Sequence, residues 1–462
     1  MDEHFSLTTR IALPASEVFA WHERPGALGR LCPPWEHVEV VAATGGVQAG
    51  ARVTVRNKMG PFWMEWRMEH RDYVAGRQFR DVQLSGPFAR WEHLHLIEPD
   101  GPEACHLTDE IAYRLPLGGL GRLFGRGLAR AKLNQLFAWR HATTKADLEL
   151  APATARAAPQ TVLIAGASGL IGRALAPFLQ TQGHRVMRLV RRPAQNADEI
   201  QWDPATGVLD SALLEGVDAM INLSGENVGA GRWTKKRREA IFRSRVDSTR
   251  TLVTAMQRMK RKPAVLVGAS AVGFYGDRGA EILAEDSAIG QGFLSDVCLA
   301  WETNAEAARA VGVRTPVVRF GVVLSPAGGA LAKLMPVFKA GVGGPVGTGD
   351  QWMSWISIDD VVGAIYHAMV DETCKGPMNG VAPAPVTNRE FTAILGKVLH
   401  RPAVVPVPAV ALRMVFGEMA DGTLLASTRA VPKRLLAAGY RFRHPDLETA
   451  LRHVLGRSSL KT

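Results

Sequence analysis

The run TVLIAGASGLIGRALAPFLQTQGHRVMRLV, residues 161–190, constrains this chain more than any other stretch. TVLIA carries no charge and reads as a buried strand; a glycine-rich turn, a helix-forming segment and a second apolar strand, RVMRLV, follow it. Gly166, Gly169 and Gly172 stand at the spacing G-x-x-G-x-x-G. In that context the first glycine permits a tight turn, the second lets backbone N–H groups approach a pyrophosphate, and the third lets helix pack closely on strand. Gly166, Ser168, Gly169, Leu170, Ile171 and Gly172 are therefore candidate contacts of a dinucleotide, with Ser168 offering a hydroxyl donor. The strand–helix alternation returns at DAMINLSG, AVLVGAS and TPVVRFGVVLSP, which predicts an α/β fold with a doubly wound parallel sheet.

The end of the second strand chooses between two dinucleotides. A carboxylate there would bind the ribose hydroxyls of NAD. The sequence instead reads RLVRRP, and guanidinium groups such as those of Arg191 and Arg192 pair with the extra phosphate of NADP. NADP is the expected cofactor.

Residues 1–150 have a different rhythm. One strand (HFSLTTRIAL) is followed by a helical segment, PASEVFAWHERPGALGRL, and then by six further strand-like runs. They are EHVEVVAA, ARVTVRNKM, FWMEWRMEHRDYV, QFRDVQLSG, ARWEHLHLIEP and CHLTDEIAYRLP. A long amphipathic helix with Leu128, Leu133, Leu136 and Phe137 on its apolar side closes the segment. Strands capped by one long helix predict an α+β domain whose curved antiparallel sheet wraps that helix. His93 and His95 alternate along one strand, with His106 on the next, but cross-strand polar residues are common and no metal is expected. The expected divisions are a domain over 1–150, an Ala/Pro linker at 151–160, a dinucleotide-binding domain over 161–380 and a C-terminal segment over 381–462.

Charge adds one constraint. The 462 residues carry a net charge of +11, yet residues 1–150 hold 18 basic and 18 acidic residues, so the excess lies beyond them. Much of it falls in RWTKKRREAIFRSR, residues 232–245, read as a solvated helix face beside an anionic cofactor. With no nucleic-acid motif beside it, no nucleic-acid partner is expected. Four scattered cysteines, no apolar leader and no long uncharged apolar run predict reduced thiols, no membrane span and a cytoplasmic location.

The order of elements in residues 1–150 resembles the START-like (SRPBCC) superfamily. That resemblance implies a helix-grip domain with a cavity for an apolar molecule such as a lipid, polyketide or quinone. From residue 161 to about 456, the runs GASGLIG, NLSGENV, GASAVGFYGDRG, VCLAWETNA, VRFGVVLSPAGGAL, MSWISIDDVV and NGVAPAPVTNREF occur in order. They resemble the "epimerase family" branch of extended short-chain dehydrogenases, sometimes labelled SulA-like. The likeness implies a Rossmann-like domain with a C-terminal substrate subdomain, bound to NADP. It further implies that Leu223 and Ser224 in NLSG pass close to the cofactor, that Arg245, at a helix position often held by Asn, is a further cofactor contact, and that Val323 lies near the nicotinamide.

The same family usually moves protons with Tyr-x-x-x-Lys, the lysine lowering the phenol pKa. Here the residues four positions after Tyr73, Tyr113, Tyr275, Tyr366 and Tyr440 are Arg77, Leu117, Gly279, Val370 and His444. The pair is missing. The helix FLSDVCLAWE offers Asp296 and Cys298 as substitutes, and Ser270 with Tyr275 in GASAVGFYG is the candidate catalytic set. An unassisted phenol near pKa 10 serves as an acid, which favours reduction by NADPH. The leading expectation is an NADP-dependent oxidoreductase or epimerase acting on an unidentified small substrate. The alternative is a non-catalytic NADP(H) sensor or scaffold with a protein partner, associated with cell division as the SulA-like label implies.

Overall fold

The structure, a computed structural model, describes residues 2–150 and 158–457. The first seven positions of the linker expected at 151–160 lie outside the described residues. Two compact units make up the chain, the first drawn chiefly from Met1–Arg156 and the second from Ala157–Leu179 and His184–Val454.

The first unit runs β1 (Glu3–Ile11), α1 (Ala15–Glu23), α2 (Ala27–Arg30), β2 (Val38–Thr44), β3 (Arg52–Met59), β4 (Phe62–Val74), β5 (Gln78–Ser85), β6 (Arg90–Pro99), β7 (Cys105–Arg114) and α3 (Gly118–Glu149). Its seven strands form one antiparallel sheet in the order β1-β7-β6-β5-β4-β3-β2. The expected helix at 14–31 is two helices, because Arg24 is extended ahead of Pro25. Alternation along β6 turns Trp91, His93, His95 and Ile97 inward. Leu133 and Phe137 of α3 are buried with Phe5, Trp91, Ile111 and Tyr113, and Leu136 packs beside them. Leu128 corrects the expectation: it is 64% exposed, as Leu120, Leu123 and Phe124 are largely exposed too. The apolar stripe of α3 begins ahead of the sheet, and the helix buries its own residues only from Leu133 onward.

The second unit begins β8 (Thr161–Ala165), α4 (Leu170–Thr181), β9 (Arg185–Val190), β10 (Glu199–Gln201), β11 (Ala219–Asn222), α5 (Lys235–Arg258), β12 (Val265–Ala271), β13 (Ile282–Leu283), α6 (Phe293–Glu306) and β14 (Pro316–Phe320). It continues β15 (Val322–Leu324), α7 (Gly329–Lys339), β16 (Trp352–Met353), β17 (Trp355–Ser357), α8 (Ile358–Val370), β18 (Gly376–Gly380), β19 (Val386–Thr387), α9 (Asn388–Leu399) and β20 (Arg429–Ala430). The main sheet is parallel, in the order β10-β9-β8-β11-β12-β14-β18. Strand order reverses between β8 and β11, and in such sheets a crevice opens at the carboxyl ends of the strands at that point.

The run TPVVRFGVVLSP is two strands rather than one. It breaks at Gly321, where a side chain would collide with the Ser354 carbonyl, and β15 leaves the main sheet to pair with β17. Residues 381–454 belong to the same unit, β19 pairing with β16 and β20 with β13. A capping box between Thr387 and Glu390 starts α9, and Ser357 caps α8. No helix among the described residues is long and apolar enough to cross a membrane.

The packing of α4 on β8 depends on Gly172. A methyl there would run into the Gly166 carbonyl oxygen and sit 2.6 Å from Ala167 Cα, both backbone atoms that cannot swing aside. Gly172→Ala is expected to destabilise the second unit by about 1–3 kcal/mol through overpacking. Urea unfolding of the full chain with an unchanged midpoint would contradict this account.

Candidate functional site

The glycine turn lies at the strand-order reversal. Gly166 adopts φ +84°, in the left-handed region. A Cβ there would stand 2.8 Å from the Leu223 carbonyl carbon and 3.0 Å from Ser224 N, so the end of β11 passes directly against the turn. Gly169 N donates to Gly166 O at 3.1 Å, while Ser168 and Gly169 themselves are exposed. The structure thus brings Gly166, Leu223 and Ser224 together. Asn222, which the sequence did not single out, fixes the strand end: its Oδ1 accepts from Ser224 N at 3.1 Å and its Nδ2 donates to Thr249 Oγ1 at 2.9 Å.

Leu170 and Val323 also converge. Cβ atoms built at Gly328 and Gly329 would contact the Leu170 side chain at 3.2 and 3.5 Å, and that at Gly329 lies 3.7 Å from the Val323 carbonyl oxygen. Ile171 follows on α4, half-buried.

The two arginines after β9 have separate surroundings. Arg192 forms a two-pronged pair with Glu199 of β10, at 2.8 and 2.7 Å, and Gln195 N donates to the same carboxylate at 2.9 Å. Those bonds, the arginine's first, bring the Glu199 carboxyl down to about 2. Arg191 is exposed, and no carboxylate pairs with it among the described residues. Glu199 escaped the sequence reading because its three-residue strand carries no periodic signal.

Arg245 lies on the inner side of α5. Its guanidinium stacks over Trp301 at 4.9 Å, donates to the Ile241 carbonyl at 3.0 Å and presses on Gly225, whose built Cβ would lie 3.0 Å away. Burial lowers its pKa. No carboxylate forms a salt bridge with it among the described residues, an unusual state for a cation withdrawn from water.

The proposed catalytic pair sits inside a buried network. Ser270 Oγ donates to Glu302 Oε1 at 2.6 Å, and Arg319 grips both oxygens of Glu302 at 2.8 Å. The third Arg319 nitrogen donates to the Tyr275 hydroxyl at 3.0 Å, and that hydroxyl donates to Asn379 Oδ1 at 2.7 Å. Tyr275 has no exposed surface, and burial raises its phenol pKa in spite of Arg319. The structure therefore unites Ser270 and Tyr275 through Arg319 and Glu302, with both hydroxyls engaged by protein groups. On α6, Asp296 is exposed, and the buried Cys298 thiol is pushed up to about 11 by desolvation and by Glu302.

In the first unit, His93 and His95 face the interior while His106, paired across the strands with Glu98, faces the other way. Two carboxylates, Asp81 and Asp109, meet the inward histidines instead, joined by His70 and His141.

A parallel doubly wound sheet with a glycine turn at its reversal point defines the class: a dinucleotide-binding fold. Residues 162–379 match the NAD dependent epimerase/dehydratase family, and residues 407–454 match a domain of unknown function, DUF1731. Residues 2–149 match the polyketide cyclase/dehydrase and lipid transport family. An epimerase family protein of Mycobacterium bovis is 42% identical over 296 residues, which cover 64% of this chain and 98% of the relative. Among solved structures, a nucleoside-diphosphate sugar epimerase from Corynebacterium glutamicum is 33% identical with a TM-score of 0.81, covering 99% of this chain and 91% of its own. The human epimerase family protein, solved with NADPH, is 35% identical with a TM-score of 0.59, covering 64% of this chain and 98% of its own. The chain belongs to the epimerase family.

Removing the Tyr275 hydroxyl strips a partner from both Arg319 and Asn379 inside the protein. Tyr275→Phe is expected to destabilise the second unit by about 1–3 kcal/mol, the cost of unpaired buried polar groups. A variant that unfolds at the wild-type urea concentration would show that the network does not hold this region.

Proposed function

We propose that the second unit binds NADP(H) in the crevice between the ends of β8 and β11 and acts as an oxidoreductase or epimerase on a small substrate. The observation that carries this is the pairing of the glycine turn, where Gly166 meets Leu223 and Ser224, with the exposed guanidinium of Arg191 after the next strand. The pyrophosphate would lie on the backbone N–H groups of Gly169, Leu170 and Ile171 at the start of α4. Arg191 would read the 2′-phosphate. Arg192, held by Glu199, would fix the loop rather than contact phosphate directly. Val323 would border the nicotinamide end, and the human relative solved with NADPH supports the same cofactor here.

Arg245 favours an anionic group at the substrate end. Its guanidinium lacks a carboxylate partner among the described residues, and Trp301 holds its plane. A phosphate or carboxylate of the substrate would supply the missing counter-charge.

Proton transfer has to come from outside the usual pair. Tyr275 and Ser270 spend their hydroxyl protons on Asn379 and Glu302, which favours a positioning role at the end of β12. That same observation favours a second reading, in which the domain binds NADP(H) without turnover and passes the redox signal to a protein partner. Substrate-dependent oxidation of NADPH across a metabolite panel separates the two. Tight binding with no turnover would support the sensor. In the first unit, the match to a lipid-transport family supports an apolar ligand between sheet and α3.

A charge-assisted hydrogen bond contributes roughly 1.5–3 kcal/mol, so the wild type should prefer NADPH to NADH by at least about tenfold. Calorimetry on Arg191→Ala should find that preference nearly gone. Arg192→Ala should weaken both cofactors by similar factors. Equal wild-type affinity for the two cofactors would overturn the assignment.

A further inference from the structure

We propose that the first unit holds a divalent transition-metal ion of the zinc type, bound by Asp81, His93 and His95. Four adjacent strands deliver the groups. The pleat of β6 puts His93 and His95 on one face, the register of β5 sets Asp81 opposite His93, and β7 sets Asp109 opposite His95. On β4, His70 stands opposite Asp81. One ligating atom from each of Asp81, His93 and His95 lies within 4.8 Å of the others.

The distances suit an ion better than hydrogen bonds. Asp81 Oδ2 is 3.7 Å from His93 Nδ1, beyond hydrogen-bond reach, and its hydrogen bond with His95 Nε2 is stretched to 3.4 Å. Hydrogen bonds between such atoms would close to about 2.7–2.9 Å. Metal–ligand bonds of about 2.0–2.1 Å in a tetrahedron space neighbouring ligand atoms by roughly 3.3 Å. These two separations therefore need little adjustment.

The opposite edges of the two rings are already held. His93 Nε2 lies 2.8 Å from Asp109 Oδ1, a hydrogen bond, and His95 Nδ1 lies 2.8 Å from the same oxygen, though off the line of one. A carboxylate behind a ligating imidazole fixes the ring and raises its basicity, the usual support of a metal-bound histidine. Asp109 is itself anchored, its Oδ2 2.7 Å from His141 Nε2, and His141 Nδ1 is 2.8 Å from Thr9 Oγ1. Asp81 Oδ1 is 2.6 Å from His70 Nδ1, again without hydrogen-bond alignment, so buried polar atoms at this point lack good partners.

The surroundings are largely apolar. His95 stacks on Phe79 at 4.2 Å and His93 meets the edge of Phe137 at 5.1 Å, so the polar group divides two apolar clusters. Two carboxylates in such a place are costly unless a cation accompanies them. Three protein ligands leave a fourth position for water or a ligand oxygen, as open zinc sites do.

The full chain, stripped with a chelator and titrated with Co²⁺ and Zn²⁺, tests this. The expected result is one tight equivalent with the visible absorption of four-coordinate cobalt, lost in Asp81→Asn/His95→Gln. The variant His444→Gln should keep it, which separates this site from the group Asp359, His444 and His453. Asp109→Asn should weaken binding about 10–100-fold. Should the double variant misfold, X-ray absorption on the wild-type zinc form decides: two imidazoles in the shell support the assignment. No retained metal, an equivalent that survives Asp81→Asn/His95→Gln, or a shell without two imidazoles overturns it.

Discussion

The second unit depends on a contact that leaves no room for a side chain. At Gly166 the chain turns out of β8 against the backbone of Leu223 and Ser224, and at Gly172 the first turn of α4 returns onto the same loop. Together the two approaches bring β8, α4 and β11 to the point where strand order reverses. A larger residue at either place would push α4 from the sheet, and with it the backbone N–H groups at the helix start. The geometry that lets helix, strand and turn close up is the geometry that lets a pyrophosphate approach.

A second constraint lies deeper, in the ion pair of Arg319 and Glu302. It links β14 to α6 and, through Ser270, Tyr275 and Asn379, reaches β12 and β18. Phe274 covers the guanidinium at 3.5 Å. Buried pairs of this kind are secure only when every donor and acceptor is met, and here they are met by one another and by the carbonyls of Leu283, Glu285 and Val431. The helix that would carry Tyr-x-x-x-Lys instead presents Cys298, with a thiol too basic to serve at neutral pH, to the Ala271 carbonyl. This part of the sheet is built to stay fixed.

Much of this was legible in the sequence because the signals are local. The G-x-x-G-x-x-G spacing places the glycine turn at the strand-order reversal, the alternating runs of residues 1–150 place all seven strands, and the arginines after β9 are visible as RR. What escaped depends on pairing across distance. Glu199 takes Arg192 because β10 lies beside β9, a register no local pattern announces. His93 and His95 meet Asp81 and Asp109 rather than His106 because inward and outward positions are set strand by strand. Gly321 looked like the middle of one strand and is a corner, for a reason that resides in Ser354. Leu128 fits the apolar stripe of α3, yet whether a stripe is covered depends on where the sheet ends.

The most direct measurement is a crystal structure of the full chain grown with NADPH. The account predicts the pyrophosphate on the N–H groups of the Gly169–Ile171 turn and the 2′-phosphate about 3 Å from the Arg191 guanidinium. A dinucleotide bound away from the Gly166 turn, or no dinucleotide at saturating NADPH, would contradict it.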